Sequence, residues 1–159
     1  MKNQVHHVVL FVKDIDRSIT LYHDFLGFEV EWRVGPIGGR KMSAIIGIPK
    51  LETEIAYLKS SLGPALELLQ LGSPEYSEMD ALDFGMPGSV GVSIQVMDIE
   101  NLHRRFSKSD WEPLTSCQQV NTPAGESMKV FCIRTDEGVV IELLEPQNGA
   151  GKVIERLGE

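Results

Sequence analysis

Two stretches of this chain repeat one another, and the repetition narrows the fold before composition is considered. His7-Val8-Val9-Leu10-Phe11-Val12-Lys13-Asp14-Ile15 returns at an offset of 84 as Gly91-Val92-Ser93-Ile94-Gln95-Val96-Met97-Asp98-Ile99. Both are β-rich runs that close on Asp-Ile and lead into a helical pattern. Ile15, Ile19 and Tyr22 mark one apolar helix face in the first copy, and Ile99, Leu102 and Phe106 mark one in the second. Asp14 and Asp98 stand where an N-cap would accept from the first free backbone N–H groups. A second match, at an offset of 75, aligns Glu54 to Lys59 with Lys129 to Arg134. It continues without a gap through Gly63-Pro64-Ala65-Leu66-Glu67-Leu68-Leu69 and Gly138-Val139-Val140-Ile141-Glu142-Leu143-Leu144. Each copy reads strand, Gly-containing turn, strand.

The predicted organisation is therefore a duplicated βαβββ unit in an α+β protein. The first module is expected over 1–71, a linker over 72–89, the second module over 90–146 and a tail over 147–159. The tail includes a short helix at Val153 to Leu157. The two offsets differ because the first copy has a longer middle. Its Gly35 to Thr53 segment carries Gly35-Pro36, Gly38-Gly39 and Ile48-Pro49, and is expected to be a loop or short lid.

Charge and cysteine usage then exclude whole classes of partner. The net charge of -8 disfavours nucleic acid and anionic membrane. The longest apolar run, Val8 to Val12, is far short of the ~20 residues of a membrane helix. The polar N-terminus lacks a secretory h-region, and Cys117 and Cys132 make no disulfide framework. A cytoplasmic protein is the expectation.

Strand alternation picks out candidate chemistry. His7 shares a strand face with Val9 and Phe11, and Gly91 with Ser93 and Gln95. Glu67 shares a face with Ala65 and Leu69, and Glu142 with Val140 and Leu144. A carboxylate buried in such a strand costs several kcal/mol unless a cation, a metal or water offsets it. The same problem at two equivalent repeat positions suggests one shared solution. Elsewhere the expectations are structural. His6 should point to the face opposite His7, His23 and His103 should be solvated on helices, and Cys132 should lie in the core. Cys117 belongs to a polar loop, Arg40-Lys41 to a solvated loop, and Trp32 and Trp111 either line a surface or pack.

The signature His7-Val8-x-x-x-Val12-x-Asp14-Ile15 resembles the first strand of the vicinal oxygen chelate superfamily, the glyoxalase, bleomycin-resistance and dioxygenase fold. Tyr22-His23-Asp24-Phe25-Leu26-Gly27-Phe28 and Arg134 to Pro146 resemble that superfamily's helix end and closing strand. The resemblance implies two modules whose curved mixed sheet surrounds one central cleft. It also implies metal-ligand positions at His7, Glu67, Gly91 and Glu142. Glycine cannot ligate, so His7, Glu67 and Glu142 remain as the metal set. Gln95 or Ser93 is available to add an oxygen.

One His and two Glu do not make the two-His, one-carboxylate triad of non-haem iron oxygenases, so an extradiol dioxygenase is not expected. They suit Zn, Ni, Mn, Co or Mg. The implied activity is a metal-assisted isomerase or lyase of a small carbonyl compound, of the glyoxalase I or methylmalonyl-CoA epimerase type. Glu142 is the expected base, with Glu67 the second candidate. Phe11, Gly91, Ser93, Gln95, Leu69 and Leu144 are expected to line the substrate site. The alternative is a metal-free small-molecule binding protein of the bleomycin-resistance type, since Gly91 removes a ligand. Relatives often form dimers, so a homodimer is expected.

Overall fold

A computed structural model describes residues 4–73, 88–121 and 125–147. The chain divides into two compact units, residues 1–80 and 81–159. In the first, strand β1 (His7–Phe11) leads through helix α1 (Ile15–Ile19) and a π-helical turn (Thr20–Phe25) to β2 (Glu29–Gly38). Helix α2 (Arg40–Ile46), β3 (Glu52–Lys59) and β4 (Ala65–Ser73) follow. The second unit runs β5 (Gly91–Gln95), α3 (Ile99–Phe106), β6 (Gln118–Asn121), β7 (Ser127–Arg134) and β8 (Val140–Pro146).

Each unit is a four-stranded mixed sheet, ordered β1-β4-β3-β2 in one and β5-β8-β7-β6 in the other. The duplication is visible residue by residue. His7 pairs with Ala65 and Val9 with Glu67 across parallel β1 and β4. Gly91 pairs with Val140 and Ser93 with Glu142 across parallel β5 and β8.

One face of each sheet is closed by its helix. In the first unit Leu10, Leu66, Leu68, Ala56 and Leu58 are buried together with Ile15, Leu21 and Tyr22. In the second, Phe131, Ile133, Ile141 and Leu143 are buried, as are Ile99, Leu102, Phe106 and Trp111. Each fully buried Leu, Ile or Phe contributes about 1.5–3 kcal/mol. The alternation that buries these residues sends Glu67 and Glu142 to the other face.

The helix starts differ from the expectation in one respect. Asp14 does cap α1, its Oδ1 accepting from the Arg17 N–H at 2.9 Å. Asp98 does not cap α3: it takes a left-handed conformation, φ 54°, and its side chain makes no cap bond. Glu145 accepts instead, from the Asp98 N–H at 2.7 Å and the Ile99 N–H at 3.5 Å. Its repeat counterpart, Gln70, accepts from the Ile15 N–H at 2.7 Å. A carboxylate at a helix N-terminus also meets the favourable end of the helix dipole.

The Gly35 to Thr53 segment is not the expected loop. Strand β2 continues to Gly38, and Arg40 and Lys41 open α2. Gly39 (φ 98°) and Gly47 (φ 80°) bracket that helix in conformations that favour glycine. Most of the predicted linker and the tail helix at Val153 to Leu157 lie outside the described residues. Among the described residues no helix is long and apolar enough to cross a membrane.

Candidate functional site

The candidate residues fall into two groups, one in each unit. In the first, β1 presents His7 and β4 presents Glu67. His7 Nε2 stands 3.9 Å from Glu67 Oε2, both side chains partly exposed. That distance is too long for a hydrogen bond.

Cross-strand register builds the row around them. Glu67 lies between Val9 on β1 and Tyr57 on β3, and Tyr57 is opposite Trp32 on β2. The Trp32 and Tyr57 rings stack, with centroids 5.1 Å apart and planes 8° from parallel. Tyr57 meets the His7 ring edge to face at 5.8 Å. Val9, Phe11 and Trp32 are 39%, 43% and 42% exposed, so a carboxylate and an imidazole sit within an open apolar surface. Leu69, expected to line the site, is closed off at 0% exposure.

His6 corrects the expectation. It does not turn to the opposite face: its Nδ1 lies 2.8 Å from His7 Nδ1, with the two rings edge to face. The reason is that His6 precedes the strand, so strand alternation does not govern it. His23 is exposed and His103 half-buried, and both are engaged. His23 Nδ1 donates to the Phe28 carbonyl at 2.7 Å, and His103 Nε2 lies 3.3 Å from the Thr115 carbonyl. Trp111 packs in the core, whereas Trp32 lines a surface.

In the second group Ser93 Oγ donates to Glu142 Oε2 at 2.5 Å. The row here is Ser93, Glu142 and Cys132, the repeat counterparts of Val9, Glu67 and Tyr57. Cys132 is therefore not core. It is half-exposed beside Glu142, and burial first, then the Glu142 charge, push its thiol above the ordinary cysteine range. Burial likewise raises Cys117. Gly91, Ser93 and Gln95 are exposed, and Leu144 is half-buried.

Tyr57, Cys132 and His6 were missed as neighbours of the candidate residues. The first two were within reach of the sequence. A hairpin closed between Lys59 and Ala65 puts Tyr57 opposite Glu67, and the repeat then puts Cys132 opposite Glu142.

The donor chemistry of His7 and Glu67 fits a divalent ion. Two ligands on one Zn, each about 2.0–2.2 Å from it, lie about 3.0–3.5 Å apart. A small side-chain movement from 3.9 Å reaches that spacing. The Nδ1 of His7 is taken up by His6, leaving Nε2 as the nitrogen facing Glu67. Among the described residues no three His, Cys, Asp or Glu side chains form a ready ligand group, so His7 and Glu67 supply two donors rather than a complete sphere.

Comparison with known proteins agrees with the architecture. A glyoxalase family protein from Bacillus cereus superposes with a TM-score of 0.78 at 22% identity, over 92% of this chain and 95% of that one. The trypanothione-dependent glyoxalase I of Leishmania major gives 0.61 at 19% identity, over 99% and 94%. TioX from Micromonospora sp. ML1 gives 0.55 at 19%, over 90% and 98%. At these identities the likeness is one of fold. No curated protein sequence matches the chain. The family model for the Glyoxalase/Bleomycin resistance protein/Dioxygenase superfamily matches residues 4–143. A duplicated βαβββ unit and a match across nearly the whole chain lead to one conclusion: the protein belongs to the Glyoxalase/Bleomycin resistance protein/Dioxygenase superfamily.

Proposed function

We propose that this protein is a metal-assisted isomerase or lyase that moves a proton next to the carbonyl of a small substrate. The observation that carries the reading is His7 Nε2 facing Glu67 Oε2 on an open apolar strand face, with the same glutamate recurring as Glu142. His7, Glu67 and Glu142 would hold a divalent ion, Zn, Ni, Mn, Co or Mg. When bound, such an ion supplies Lewis-acid stabilisation of a developing oxyanion.

The chain's own residues do the rest. Ser93 donates to Glu142 Oε2, which leaves Oε1 to accept the proton. Glu67 is the second candidate for the base. Phe11, Val9 and Trp32 offer an apolar surface that would exclude water from the bound substrate. Gly91 and Gln95 are exposed on the strand face of Ser93. The acidic chain is read as a cytoplasmic homodimer with a small-molecule substrate and no nucleic-acid or membrane partner.

A second reading, a metal-free binding protein of the bleomycin-resistance type, draws on Ser93 already satisfying one oxygen of Glu142 and on exposed Trp32 stacked on half-buried Tyr57. Proton exchange separates the two. The protein is mixed in deuterated buffer with hemithioacetals of 2-oxoaldehydes and with 2-methyl-branched acyl thioesters, with Zn or with chelator. Deuterium incorporation next to the carbonyl that chelator abolishes supports the isomerase or lyase. Ligand-dependent stabilisation that chelator does not alter, with no exchange on any substrate, would replace it with the binding protein.

A further inference from the structure

The 2.8 Å contact between His6 Nδ1 and His7 Nδ1 obliges the two rings to hold opposite tautomers when both are neutral. One Nδ1 must carry the hydrogen and the other must accept it. The pairing fixes more than a proton, because the His7 ring also meets Tyr57 edge to face and so is braced on two sides. Its remaining nitrogen, Nε2, is the one aimed at Glu67.

We propose that His6 is a positioning residue that sets the tautomer and orientation of His7, so that Nε2 can present its lone pair to a cation. The inference rests on the metal-assisted reading for its purpose, but not for its geometry. In the ligating arrangement His7 carries its hydrogen on Nδ1 and donates to His6, whose own hydrogen sits on Nε2 in solvent. In the alternative arrangement both rings are reversed: His6 donates from Nδ1, and His7 keeps its hydrogen on Nε2 toward Glu67. Both arrangements are neutral and contain the same two hydrogens, so the pair exchanges one for the other without net proton uptake or release. A ligating histidine needs a partner for its second nitrogen, and loss of such a partner costs about 10–100-fold in metal affinity. His6 is exposed and lies before β1, so replacing it leaves the core untouched.

The test uses the whole chain, ring-labelled with 15N, at a pH where both histidines are neutral. Long-range proton–nitrogen spectra of the metal-free protein read the tautomers directly. His6 and His7 should be opposite in the parent, and His6→Ala should return His7 to the tautomer mixture of a free imidazole. His6→Asn places an amide oxygen where Nδ1 was, so His7 should then carry its hydrogen on Nδ1. Unpaired tautomers in the parent, or a His7 spectrum that His6→Ala leaves unchanged, would overturn the inference. Zinc titration by calorimetry adds the second readout. His6→Ala should bind about 10–100-fold more weakly than the parent, and His6→Asn should recover most of that loss. Equal affinity in all three variants would overturn the positioning role. A parent that binds no zinc while showing paired tautomers would remove the metal-assisted reading and, with it, the purpose assigned to the pair, leaving the tautomer pairing alone.

Discussion

Replacing Glu142 by Gln should separate chemistry from stability. Glu142 is half-buried between Val140 and Leu144 on its strand face and accepts from Ser93 Oγ at 2.5 Å. A hydrogen bond to a charged group contributes about 1.5–3 kcal/mol and a neutral one about 0.5–1.5. Glutamine keeps a carbonyl acceptor for Ser93, so the loss is the difference, about 1 kcal/mol. Burying a neutral amide in place of a carboxylate offsets part of that. The net change should stay within about 1 kcal/mol, a melting shift of about 2–4 °C for a chain of this size.

Phe106→Ala is the contrast. Its ring is fully buried, edge to face with Phe131 at 6.1 Å, and its removal should cost about 3–5 kcal/mol. Thermal unfolding by circular dichroism, run beside zinc calorimetry and the proton-exchange assay, reads both axes. Glu142→Gln should lose exchange and weaken zinc binding with little change in melting. A melting loss as large as that of Phe106→Ala, with zinc affinity unchanged, would show that Glu142 is a packing residue and refute the reasoning.

Removing the Glu142 charge should also speed alkylation of Cys132 by iodoacetamide at fixed pH. That charge is the second cause, after burial, holding the thiol up, so its loss lowers the thiol's pKa and raises the thiolate fraction; an unchanged rate would mean that the two side chains do not share a face. Gln70→Leu and Glu145→Leu should each cost about 1–2 kcal/mol in chemical denaturation, because each strips the acceptor from a helix-start N–H. Equal stability to the parent would show that water replaces these caps. Gly91→His should raise zinc affinity, because Gly91 pairs with Val140 as His7 pairs with Ala65; no change in a parent that binds weakly would argue against the repeat-based ligand position.

The repeat made the architecture legible because register survives duplication. An offset of 84 carries β1 onto β5, and an offset of 75 carries β3 and β4 onto β7 and β8. The strand faces of His7, Glu67 and Glu142 followed from alternation alone. What alternation cannot supply is the conformation of residues outside regular elements. His6 was misplaced because it precedes the strand, and Asp98 because it takes a left-handed backbone rather than the extended one of a capping residue. The Gly35 to Thr53 segment was misread because glycine and proline punctuate a long edge strand and a short helix as readily as a loop. Cys132 was misread because a small apolar residue in a strand is usually core, whereas here it shares a face with a carboxylate.

Metal content decides whether His7, Glu67 and Glu142 act as ligands. The protein is purified with and without added Zn or Ni, its bound metal is measured by elemental analysis, and the parent is titrated beside His7→Ala, Glu67→Gln and Glu142→Gln. The parent should hold stoichiometric divalent metal, and every variant should bind it more weakly. Sub-stoichiometric metal that added divalent ions do not restore, or binding indifferent to all three substitutions, would contradict that role.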